Sequence, residues 1–144
     1  MDMRQITPRF FAAPQITAED IPAIKAAGVA MILCNRPDEE VPPGYRCDDI
    51  RDAAEAEGLG FAVQPLTHQT MTPDVIARNT ALIDSAEGPV LAYCASGTRS
   101  TIAWALGSAG GMTADDIIEA ARSGGYDLTN MRQTLEMIAE QSGN

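Results

Sequence analysis

Val90-Leu91-Ala92-Tyr93-Cys94-Ala95-Ser96-Gly97-Thr98-Arg99-Ser100 joins three local patterns in one short stretch. Val90 to Tyr93 is a continuous apolar run of strand length, and Cys94 closes it. Ala95, Ser96, Gly97 and Thr98 are small residues that let a backbone curl tightly. After Arg99, an Ala-rich helical pattern runs from Ser100 to Ala109. A strand, a tight loop and a helix N-terminus together make an anion cradle, because inward backbone N–H groups and the helix dipole both favour negative charge. Cys94 falls at its floor and Arg99 at its lip.

Outward from that stretch, the chain alternates. Phe10 to Ala13 predicts a strand. Thr17 reads as an N-cap with Asp20 in the capping-box position, and Ile21, Ile24 and Ala27 share a helical face that stops at Gly28. Pro22 then belongs in the first turns, where its missing N–H costs least. Val29 to Cys34 predicts a strand buried on both faces. A polar loop, Asn35-Arg36-Pro37-Asp38-Glu39-Glu40, leads through Pro42-Pro43-Gly44 to a helix over Asp48–Glu57, and Leu59–Val63 is the next strand. Gln64 to Met71 is a loop with the single histidine, His68. Thr72-Pro73-Asp74 opens a helix with Val75, Ala81, Leu82 and Ile83 on its apolar face. Three helices follow the Cys94 loop: Ser100–Ala109, Thr113–Ala121 and Thr129–Glu140. Strand–helix alternation predicts an α/β domain with a mainly parallel sheet flanked by helices and three C-terminal helices. Ligands in such sheets bind beyond the carboxyl ends of the strands. Cys94, Cys34, Arg36 and His68 all fall at that edge.

The bulk numbers narrow the chemistry. At 144 residues the chain is expected to be one domain, 1–144, with a core over about 3–140. The formal net charge of −10 repels polyphosphate and anionic lipid, which argues against nucleic-acid and membrane partners. Three cysteines, Cys34, Cys47 and Cys94, argue against a disulfide framework, and with one histidine they lack a zinc-site spacing. There is no apolar run of signal-peptide or membrane-span length, so a reducing cytoplasm is the expected setting, with no metal or other cofactor.

A cysteine is a useful nucleophile only as the thiolate. The helix start, the amides of Ala95 to Arg99 and the Arg99 guanidinium all favour that form of Cys94. Ser100 is placed to hydrogen-bond the sulfur. Arg36 is a second candidate anion contact, set against a surface ion pair with Asp38, Glu39 or Glu40. Cys34 is either a resolving thiol for Cys94 or a core residue at a strand end. Cys47 reads as inert, Trp104 as core, and Asp115, Asp116 and Glu119 as a solvated helix face.

Tyr93-Cys94-Ala95-Ser96-Gly97-Thr98-Arg99-Ser100, preceded by Gly88-Pro89, resembles the phosphatase-like domain of the beta-lactamase-hydrolase-like proteins. Phe10 to Thr17, the Asn35–Glu40 loop and Gly124-Gly125-Tyr126-Asp127-Leu128 fit the same family. The resemblance implies a fold similar to the dual-specificity tyrosine phosphatases. Some members are fused to a metallo-hydrolase that oxidises persulfides, which makes such an enzyme a candidate partner; with no His-rich metal motif, this chain is expected to be the free-standing form. Two departures separate the chain from those phosphatases. Their loop is Cys-x5-Arg, whereas Cys94 to Arg99 is Cys-x4-Arg, the loop length of rhodanese-type sulfurtransferases. Where they place an acidic Asp, the spacing from Pro65 puts His68, with Asp74 nearby. The favoured reading is a sulfurtransferase that carries sulfane sulfur on Cys94 between a persulfide donor and a thiol acceptor. A phosphatase acting through phosphocysteine and a non-catalytic anion or persulfide-binding module are the alternatives.

Overall fold

The strand carrying the cysteine loop becomes the middle of the sheet. The computed structural model describes residues 2–142. Its strands are β1 (Arg4–Thr7), β2 (Phe10–Ala13), β3 (Met31–Cys34), β4 (Gly60–Val63) and β5 (Val90–Tyr93), in the order β1-β2-β5-β3-β4. β5 pairs in parallel with β2 and with β3, and β4 extends the parallel set beyond β3. Val90, Leu91, Ala92 and Tyr93 are all fully buried, as a strand covered on both faces requires.

The period-two alternation sorts side chains to two cores. Ile32, Cys34, Leu91 and Tyr93 face α1 (Ile21–Ala26) and α2 (Cys47–Ala56). Leu33, Val90 and Ala92 face the other side, where Ile83 of α3 (Pro73–Ser85), Trp104 of α4 (Thr98–Ser108), Ile117 of α5 (Ala114–Ser123) and Leu135 of α6 (Arg132–Ser142) meet. Trp104 is core, its ring stacked on Phe10 at 5.7 Å. The fold is the mainly parallel α/β sheet with helices on both faces that the alternation predicts.

Four details correct the sequence reading. β1 was not expected. Arg4-Gln5-Ile6-Thr7 has one apolar residue, Ile6, which is buried, and the strand pairs antiparallel at the sheet edge. α4 starts at Thr98 rather than Ser100, so Arg99 lies in its first turn. On α3 the buried positions are Ile76, Asn79 and Ile83, whereas Ala81 is exposed. Asn79 hides in that stripe because its side-chain oxygen accepts a hydrogen bond from Asn35 Nδ2 at 2.9 Å.

The fourth correction concerns Cys47. It is not inert: it forms a disulfide with Cys34. The loop between β3 and α2 folds back, so the end of the strand meets the start of the helix with Cα atoms 6.3 Å apart. Odd cysteine number in the sequence hides one bridge plus one free thiol, Cys94. The cysteine argument for a reducing compartment falls with it, while no helix of the described residues is long and apolar enough to cross a membrane. The bridge closes a short loop, and its loss is expected to destabilise by about 2–4 kcal/mol. Unfolding free energies from denaturant melts of the oxidised protein and of Cys47→Ser should differ by that amount, with a lower midpoint for the variant. Reducing the wild type should close the gap, and an unchanged midpoint on reduction would show that the bridge does not constrain the fold.

Candidate active site

The site grows from the end of β5. The sheet ladder continues one step past the strand, with Cys94 N–H donating to Ala13 carbonyl at 3.3 Å and Asn35 N–H to Tyr93 carbonyl at 2.9 Å. That anchors Cys94 on the sheet, fully buried, while Ala95 and Ser96 turn out to solvent. Gly97 brings the chain back in the left-handed region, at φ +93. A side chain there would be strained and would also collide with the Tyr126 hydroxyl, so glycine is required on both counts. Gly97 N–H donates to Cys94 Sγ at 3.1 Å, and the next residue opens α4. The sulfur thus sits under a helix N-terminus and accepts an amide N–H, the surroundings of an anion cradle.

Arg99 does not stand open at the lip. Its Nη1 and Nη2 donate to the two oxygens of Glu40 at 2.8 and 2.7 Å, and Nη1 also donates to Leu66 carbonyl at 2.7 Å. Glu40 ends a short 3-10 turn, Asp38–Glu40, in the loop after β3. Its carboxylate accepts a further bond from Arg36 Nε at 3.2 Å. The Arg99 hydrogen bond, helped by Arg36, holds the Glu40 carboxyl below its ordinary value although partial burial pushes the other way. Reciprocally, Glu40 stabilises the charged guanidinium of Arg99, and Cys94 contributes a smaller push in the same direction.

Arg36 thus makes the ion pair with Glu40 that was the alternative to an anion contact, and the pair links it to Arg99. Arg36 Nη1 also donates to Gln15 Oε1 at 3.2 Å, and Gln15 N–H donates to Ala95 carbonyl at 3.3 Å, which ties the loop after β2 to the cradle. Ser100 departs from expectation. Its hydroxyl donates to Asn35 Oδ1 at 2.8 Å rather than to the sulfur. Asn35 Nδ2 completes a buried network through Gln64 carbonyl and Asn79. Cys34, in its bridge to Cys47, is not free to act as a resolving thiol. His68 is exposed on a turn held by Thr67 and Thr70, and its side chain makes no hydrogen bond among the described residues. Asp74 is exposed in the first turn of α3. Neither brings an acid to the cradle in this arrangement. Among the described residues, no group of three His, Cys, Asp or Glu side chains is placed to hold a metal ion.

Gln15, Asn35, Asn79 and Tyr126 are site residues that the sequence reading did not single out, and Glu40 entered it only as a possible ion-pair partner of Arg36. Tyr126 Oη donates to Ser96 carbonyl at 3.0 Å, directly over the loop. Apart from Asn79, each lies in a segment that carried the family resemblance, and those segments converge here.

Comparison with known proteins bears on the family and the fold. The family profile described as "Beta-lactamase hydrolase-like protein, phosphatase-like domain" matches residues 2–111. The Beta-lactamase hydrolase-like protein of Agrobacterium fabrum is 32% identical over 134 residues, covering 92% of this chain and 31% of that protein. The chain thus spans about a third of the length of the curated relatives it matches. A crystal structure from Neisseria meningitidis, provisionally assigned as a phosphatase, is 34% identical with a TM-score of 0.84, covering 96% of this chain and 99% of that one. TpbA of P. aeruginosa, solved in complex with pTyr, is similar in fold alone: TM-score 0.68 at 14% identity, over 99% of this chain and 91% of that one. With its cysteine loop on a cysteine-phosphatase-like sheet, the chain belongs to the phosphatase-like domain family of the beta-lactamase hydrolase-like proteins.

Proposed function

We propose that this phosphatase-like cysteine enzyme is a sulfurtransferase, with Cys94 as the carrier of sulfane sulfur. The observation that carries the reading is the short Cys-x4-Arg loop, in which Gly97 already caps the sulfur at 3.1 Å. A tight cradle of this kind suits one added sulfur atom better than a phosphoryl group with three oxygens. Two features of the charge arrangement support it. Glu40 occupies both arms of the Arg99 fork, so a phosphate ester would have to displace that carboxylate to be gripped bidentately. His68 and Asp74 stand in solvent rather than at the cradle, and a thiolate leaving group needs little protonation compared with an alkoxide.

The chemistry needs two displacements. The Cys94 thiolate attacks the outer sulfur of a persulfide R–S–SH. The new bond is Cys94 S–S, the bond that breaks is the donor's S–S, and RS⁻ leaves with the electron pair. In the second step an acceptor thiolate attacks the outer sulfur of the Cys94 persulfide, takes it as R′–S–SH and restores the Cys94 thiolate. No electron is supplied from outside. The Gly97 amide and the helix N-terminus stabilise the sulfur anion in both steps. The partners are then a small persulfide donor and a thiol acceptor, with a persulfide-oxidising enzyme as the natural consumer of the product.

Incubation with glutathione persulfide, followed by intact mass measurement, should show one added sulfur per chain that a thiol removes. Cys94→Ser should take up none. Uptake that persists in Cys94→Ser, or no uptake by the wild type, would contradict the reading. The phosphatase alternative draws on the fold of the relatives and predicts turnover of an aryl phosphate that is lost in Cys94→Ser.

The Glu40 pair also has a pH signature. Its folded-state value lies below the ordinary 4.5, so its stabilising contribution is complete above that range and disappears as pH falls through the lowered value. The stability gap between wild type and Glu40→Gln should be constant near neutrality and narrow as the solution is acidified. Denaturant melts across that range measure it, and a gap that does not change with pH would mean that Glu40 does not hold Arg99 as an anion.

A further inference from the structure

The peptide unit between Ser96 and Gly97 has two ends, and both are held. Its carbonyl accepts from Tyr126 Oη at 3.0 Å. Its N–H, on Gly97, donates to Cys94 Sγ at 3.1 Å. In a trans peptide the C=O and N–H point in opposite directions, and no peptide bond among the described residues is cis. Fixing the carbonyl outward therefore fixes the amide inward. Gly97, at φ +93, is the kind of residue about which such a peptide can otherwise flip, which would turn a carbonyl oxygen toward the sulfur.

We propose that Tyr126 is a positioning residue, whose hydroxyl holds the Ser96–Gly97 peptide in the one orientation that presents an N–H to the Cys94 sulfur. It lies beyond residues 2–111, the span of the family profile. The fold supports the ring from behind. Tyr126 follows the turn that ends α5, with its own N–H donating to Ala121 carbonyl at 2.9 Å. Arg4 of the edge strand β1 donates to Gly124 carbonyl at 3.1 Å and lies over the Tyr126 ring at 5.8 Å from its centroid. The charged groups that act on the ring are Arg4 and Asp2 from the N-terminal segment and Cys94 from the loop. Those around the sulfur are Arg99 and, behind it, Glu40 and Arg36. Burial, the largest influence on Tyr126, keeps its hydroxyl protonated and so a donor across the neutral range. The inference rests on Cys94 being the reactive thiol of the proposed function, and it holds for sulfur or phosphoryl transfer alike.

Tyr126→Phe removes only the hydroxyl. The test is the rate of Cys94 alkylation by iodoacetamide from pH 6.5 to 9.5, in the oxidised protein where Cys94 is the free thiol. A hydrogen bond to the charged sulfur favours thiolate over thiol, so the ratio of the rate at pH 6.5 to that at pH 9.5 should fall about tenfold in the variant. Simple loosening of the loop would change both rates together and leave the ratio unmoved, which would overturn the proposal. A wild type in which Cys94 shows no pH-dependent alkylation would overturn the reactive-thiol reading and this inference with it. A second measurement needs no variant: in the wild type the Gly97 amide should be protected from hydrogen exchange, and its resonance should shift when Cys94 is alkylated. A freely exchanging Gly97 amide would contradict the proposal.

Discussion

A guanidinium and a carboxylate that meet fork to fork hold the two halves of this site together. Arg99 comes from the first turn of α4 and Glu40 from the loop after β3, far apart in sequence. Their paired bonds at 2.8 and 2.7 Å join the cysteine loop to the neighbouring strand's loop, and Arg36 and the Leu66 carbonyl complete the contact. Charge-assisted, bidentate pairs are geometrically specific as well as strong, so the pair sets where each loop can sit. The Cys34–Cys47 bridge closes the base of the loop that carries Glu40, and Cys47 N–H donates to Asp38 at 2.9 Å. These contacts brace the loop that carries Glu40, and Tyr126 Oη donates to Ser96 carbonyl within the cysteine loop itself.

That geometry changes the meaning of the arginine. In the sequence Arg99 reads as a positive lip waiting for an anion. In the fold both arms of its fork are already engaged by Glu40, which it shares with Arg36. At the sulfur, the Gly97 amide and the start of α4 add to a smaller electrostatic contribution from Arg99. Such a field is local and shallow. The proposed sulfur chemistry draws on this arrangement, since a single outer sulfur asks less of the cradle than a bulky, doubly charged group.

Much of this was legible in the chain because the strongest local signals coincide with the strongest constraints. The apolar runs of β3 and β5 identify a buried parallel sheet, and the glycine between Cys94 and Arg99 identifies a loop that only a left-handed residue can close. Residues whose roles depend on long-range contact were not legible. Glu40 looks like any acid in a polar loop, and Asn79 looks like a polar interruption of an apolar stripe until Asn35 is seen beside it. Ser100 has the right spacing to reach the sulfur, but a buried asparagine claims its hydroxyl first. The Cys34–Cys47 bridge was hidden because pairing depends on how a loop folds back and not on the number of cysteines. β1 carries too little apolar character to announce itself, and the edge of a sheet asks for little.

Under the proposed function the Cys94 cradle handles sulfur in preference to phosphate. Steady-state kcat/KM for transfer of sulfur from glutathione persulfide to a thiol, set against kcat/KM for hydrolysis of an aryl phosphate by the same preparation, tests it most directly. Sulfur transfer that exceeds phosphate hydrolysis by orders of magnitude, with both abolished in Cys94→Ser, is the predicted result. Efficient phosphate turnover with no Cys94-dependent sulfur transfer would contradict it.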